Sequence, residues 1–125
     1  MARKPLTARE AWLRWLNVVL RGAHLIAVIL LGAAVLGAPL ALGPAAFGVA
    51  ASGCAMLALD TWRKPAYLRE AAGVAVLAKL VLVAWLALDA GLRLPLFWSI
   101  VALSALFAHA PARLRHRIVL GRHAD

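Results

Sequence analysis

The chain has 125 residues, 65% of them hydrophobic, and a formal net charge of +9. So short a chain makes one domain at most, and a soluble domain carries only roughly 45–50% apolar residues, with too little interior at this size to hide the excess. Lipid hides it, and the clustered basic residues then face anionic headgroups rather than nucleic acid.

Crossing a hydrocarbon core about 30 Å thick takes about 20 mainly apolar helical residues. Four stretches meet that need. The first helix is expected over 7–37. Thr7 is its N-cap, with Glu10 three residues on as the partner of a capping box. Gly37-Ala38-Pro39 stops it. The basic start could be taken for a secretory leader, but the apolar run from Val18 is long enough to span and reads as an uncleaved helix. Glu10, Arg14, Asn17, Arg21 and His24 recur at spacings of 4, 3, 4 and 3, one stripe along this helix.

The second helix is expected over 44–62, before Arg63-Lys64-Pro65, and holds the single cysteine, Cys54. With no partner for a disulfide and no CxxC pair, Cys54 reads as a small buried apolar residue. The third helix is expected over 70–90, closed by Gly91. The fourth runs over 94–110, with Pro95 in its first turn and Pro111 past its end, where helices tolerate proline. A basic tail, 111–125, follows, in which His116 and His123 are expected to be solvated. Short connections make sequential helices antiparallel, so the fold class is an all-α, integral-membrane, up-down four-helix bundle.

Orientation follows from lysine and arginine in the flanks. The N-terminal flank, the second loop and the tail carry eleven (Arg3, Lys4, Arg9, Arg14, Arg63, Lys64, Arg69, Arg113, Arg115, Arg117, Arg122), against Arg93 alone on the other side. Both termini are therefore expected in the cytoplasm, in a bacterial inner membrane.

Ionisable residues inside spans are costly, and they tend to pair or to work. Arg21, His24, Asp60, Lys79 and His109 lie in or at the edge of the four runs, and the helical rise places all of them in the cytoplasmic half. Asp60 and Lys79 are expected to form an interhelical ion pair. His24 and His109 are the one pair of histidines on different helices that could ligate a single b-type haem between them. Ala102 and Ala105 leave room for the macrocycle, and Arg21, Arg63, Arg113 and Arg115 are placed to meet its propionates. The competing readings are an accessory or structural subunit of a larger membrane complex without a cofactor, and a metal or ion transporter. For copper, His24, His109, Cys54 and Met56 are the soft donors, but Cys54 and Met56 do not share a helix face. Homo-oligomers are compatible with all three. Soluble-enzyme chemistry has no support: there is no glycine-rich phosphate loop, no paired carboxylates and no Ser/His/Asp arrangement. Ser52, Ser99 and Ser104 read as backbone-bonding or packing residues in spans.

The stretch Arg21-Gly22-Ala23-His24-Leu25-Ile26 resembles the Arg-x-x-His-Leu helix of CopD-type copper-resistance membrane proteins. The stretch from His109 to Arg117 resembles the end of small bacterial four-helix membrane proteins. CopD-like and cytochrome b561-like bundles use histidines on membrane helices for haem or metal. The resemblance carries that role to His24 and His109.

Overall fold

The computed structural model describes residues 4–118, so Arg3, Arg122 and His123 lie outside the described residues. Four long helices follow one another: α1 (Ala8–Val35), α2 (Leu42–Arg63), α3 (Ala71–Leu88) and α4 (Arg93–His109). A single-turn α5 (Ala112–Arg115) ends the described chain, and 3₁₀ turns at Pro65–Arg69 and Ala90–Leu92 flank α3. The protein is all-α, and its four long helices are long and apolar enough to cross a membrane.

The helix ends are written in local chemistry. Thr7 N–H donates to Glu10 Oε2 at 2.8 Å, and Glu10 N–H donates to Thr7 Oγ1 at 3.2 Å, which closes the capping box of α1. At its other end Gly37 adopts φ +105°. Ala38 N–H reaches Ala33 O at 2.9 Å and Gly37 N–H reaches Ala34 O at 3.3 Å, a Schellman closure that needs the left-handed residue glycine supplies. Arg93 caps α3 from outside: its Nε donates to Leu86 O at 3.2 Å, taking up a carbonyl the helix leaves free.

Each long helix packs on its neighbour in sequence, and α1 closes the bundle against α4 with a smaller contact than the sequential pairs make. The close-packed core gathers at the end of the bundle away from Thr7: Leu31 on α1, Ala45, Ala46 and Val49 on α2, Val83 and Leu86 on α3, Leu96 and Phe97 on α4. The Phe97 ring lies against Gly32, where a Cβ would come within 2.7 Å of it, so α1 and α4 close here. Outward faces are as apolar as the core: Phe47, Ile29, Val81, Trp12, Trp15 and Trp62 are all exposed. So much exposed apolar surface marks a chain surrounded by something other than water. Cys54 belongs to this outer surface, which corrects the expectation that it is buried.

The opposite end, called here the basic end, holds the start of α1, the α2–α3 connection and α5. There the Pro65–Arg69 turn lies directly on α3. A Cβ at residue 73 would come within 2.0 Å of Tyr67 O, so only glycine fits. The tail is not simply solvated. Ala71 N–H donates to Arg117 O at 2.8 Å, and Glu70 and Ile118 form an isolated antiparallel bridge. Glu70, with a side chain 3% exposed, is held by an ion pair with Lys64 and by His116 Nδ1 at 2.9 Å from Oε2. His116 therefore docks the tail instead of only meeting solvent.

Candidate functional site: a cavity at mid-depth in the bundle

A cavity of about 410 Å³ lies between all four helices, on the basic-end side of the close-packed core. Its walls are mainly aliphatic, with Val28, Val49, Val83 and Val101 from the four helices in turn. The polar groups lining it are His24 from α1, Lys79 from α3 and Ser104 from α4. Ala105 and Ala108 keep the α4 wall shallow.

His24 is fixed by α2. Its Nδ1 lies 2.7 Å from Ser52 Oγ, and Ser52 Oγ lies 2.7 Å from Gly48 O, one turn back on its own helix. A hydroxyl has one proton to give. Gly48 O can only accept, so Ser52 donates to it and accepts from His24. Nδ1 therefore carries the imidazole proton, and Nε2 keeps its lone pair. A ring nitrogen that donates to a fixed acceptor, with the other left to a ligand, is the usual support of a ligating histidine. The serine hydroxyl bonds its backbone as expected; its hold on His24 was not foreseen, and nothing in the local spacing announces a contact across 28 positions.

The five ionisable residues in or at the edge of the apolar helices do not form one cluster. Ser52 stands eleven residues from the α2 end at Arg63, and Lys79 eight residues from the α3 start at Ala71. At 1.5 Å per residue these lie roughly 16 and 12 Å in. His24 and Lys79 are thus near mid-depth, not close to the surface. Asp60 is three residues from the end of α2. It lines a second, separate pocket with Arg21, Arg63 and Tyr67. Among the described residues Asp60 and Lys79 form no ion pair: their depths differ by roughly 7 Å, and each faces a different space.

The two histidines are also apart. His109 is the last residue of α4, exposed, and does not line the cavity. His24 sits about three turns deeper. Of the four arginines expected near a cofactor, Arg21, Arg63 and Arg115 line the second pocket and Arg113 lines neither. Met56 lines the cavity with His24, whereas Cys54 does not. Among the described residues no three His, Cys, Asp or Glu side chains converge as a metal site.

No protein-family model, curated protein or solved structure matches the chain. Function therefore rests on the chemistry of the cavity and its surroundings.

Proposed function

We propose that this is a small multi-pass protein of a bacterial inner membrane, with both termini cytoplasmic, that holds one b-type haem in the mid-depth cavity, where His24 would be a ligand. The observation that carries the reading is the Nδ1–Ser52 bond of a histidine that lines an apolar space of about 410 Å³, which leaves Nε2 free for a ligand. The small residues of α4 suit a flat macrocycle, and Lys79 offers a cation to a propionate. The resemblance of Arg21–Ile26 to CopD-type helices points the same way. His109 fits this role poorly from its place at the end of α4. Met56 is the other soft donor on the cavity wall, and thioether and imidazole together are a known axial pair. A bound haem supplies one-electron chemistry. A single haem does not carry electrons across the bilayer alone, so a redox partner protein, a quinone or a further haem is required. The orientation rests on the basic flanks. The test is the absorption spectrum of detergent-purified protein from haem-replete cells: a Soret band is expected, and a colourless preparation would overturn the reading.

A second reading is favoured by Lys79. Among the described residues its ammonium has no carboxylate partner, and a half-buried cation without one suits an acidic ligand better than a metal ion. An amphiphile with an acidic hydroxyl, such as a quinol, would give its proton toward His24 Nε2 and rest its oxygen on Lys79. Here the purified protein is free of haem, and solvent extraction yields a quinone that Lys79→Met protein fails to retain. Extracts without a quinone would sink this alternative.

A further inference from the structure

The second pocket shares no lining residue with the first. It measures about 430 Å³ and opens at the basic end of the bundle. Three distant parts of the chain converge on it: Arg21 from α1, Asp60, Arg63 and Tyr67 from the end of α2 and the following turn, and Arg115 from α5. Lys64 also lines it, but that ammonium is engaged by Glu70. Three guanidiniums thus face one carboxylate. Arg115 Nε is buried there without a hydrogen-bond partner among the described residues. Burial, and after it the Asp60 carboxylate, push the Tyr67 phenol above its ordinary value, so it remains a neutral donor.

This is a built cradle, not a loose basic patch. α5 is clamped over it by the Ala71–Arg117 backbone bond and by His116 on Glu70. That clamp is what holds Arg115 beside Arg21, 94 positions earlier in the chain. Guanidinium forks match tetrahedral oxyanions and bind them with paired, charge-assisted hydrogen bonds. The pocket has room for a phosphate together with the small polar group attached to it.

We propose that this pocket binds a phosphate group, cradled by Arg21, Arg63 and Arg115 with Tyr67 as a neutral donor. The phosphate belongs either to an anionic phospholipid headgroup or to a soluble phosphate ester. The site stands independently of the haem reading.

The test is a calorimetric titration of delipidated full-length protein in neutral detergent. The probes are short-chain phosphatidylglycerol, short-chain diacylglycerol and glycerol phosphate. Saturable binding of phosphatidylglycerol alone assigns a lipid headgroup; saturable binding of glycerol phosphate assigns a soluble ester. In either case Arg21→Gln and Arg115→Gln each weaken binding roughly tenfold. Arg69→Gln removes a charge on the same face but outside the pocket and leaves binding unchanged. Unfolding temperature in detergent confirms that each variant is folded. Three results overturn the proposal: no saturable binding of either anionic probe, equal binding of the phosphate-free diacylglycerol, or an equal loss in Arg69→Gln, which would mark a diffuse charge effect.

Discussion

Ser52 Oγ accepts from His24 Nδ1 at 2.7 Å while giving its own proton to Gly48 O at the same distance. This relay fixes the imidazole tautomer and ring plane at mid-depth in an apolar bundle. Supporting bonds of this kind typically contribute 10–100-fold to the affinity of a histidine-bound group. Ser52→Ala should therefore weaken haem binding roughly tenfold or more, while Ser52→Thr keeps the hydroxyl and most of the affinity. Haem titration of the detergent-solubilised apoprotein checks it. Equal affinity in Ser52→Ala would mean that the relay does not support the ligand.

The Glu70 clamp is pH-dependent in a defined direction. Burial raises the affinity of Glu70 for a proton, but hydrogen bonds and charges from Lys64 and His116 outweigh it, and the carboxyl is held below its ordinary value. With the tail released, Glu70 loses His116 but keeps Lys64, so its carboxyl moves back toward the ordinary value, about 4.3. Docking is thus fully supported above that value and is lost as pH falls through the lower value of the docked state. Hydrogen exchange at the Ala71 amide, which is bonded to Arg117 O, reports it. Protection should vanish in acid after correction for the intrinsic rate.

At neutral pH, Glu70→Ala should weaken the same protection by about 1–2 kcal/mol. That figure is discounted because Lys64 and His116 are both about half exposed. Unchanged exchange at Ala71 in this variant would show that the backbone bridge alone holds the tail.

Gly73 and Gly53 make a matched pair. A Cβ at Gly73 meets the backbone oxygen of Tyr67 at 2.0 Å, whereas one at Gly53 meets Leu80 Cδ2 at 3.4 Å and His24 Cε1 at 3.6 Å, ordinary contact. Gly73→Ala should cost about 2–3 kcal/mol by displacing the turn. Gly53→Ala should be neutral or slightly stabilising, since alanine favours helix by about 1 kcal/mol. Thermal unfolding in one detergent compares the two, and equal shifts would contradict the packing described.

Asp60 and Lys79 look into different spaces, so they should act independently. The double variant Asp60→Asn/Lys79→Met should change stability by the sum of the single changes, within about 0.5 kcal/mol. A coupling energy well above that would restore a direct pair.

The helices and their ends were readable because the signals are local. Long apolar runs, Thr7 with Glu10, Gly37, and the prolines at 95 and 111 each act within a turn or two of themselves. What the sequence concealed is long-range. The depth of His24 depends on how far α1 extends past the basic end, which no spacing reveals, so the sequence does not separate it in height from His109. The Asp60–Lys79 pairing failed for the same reason of depth. The tail's return to Glu70 rests on a single-turn helix and one backbone bridge, neither of which has a periodic signature. Glu70 itself carries a faint signal: it is the one acid in a basic connection between two apolar runs, and such a residue has every charge around it to pair with.

The central claim is tested most directly by the optical spectra of three proteins purified side by side from haem-replete cells: the natural chain, His24→Ala and His109→Ala. The cavity is lined by His24 and not by His109. The account predicts a Soret band in the natural chain, its collapse in His24→Ala, and its survival in His109→Ala. A band that persists in His24→Ala, or its absence from all three proteins, would contradict it.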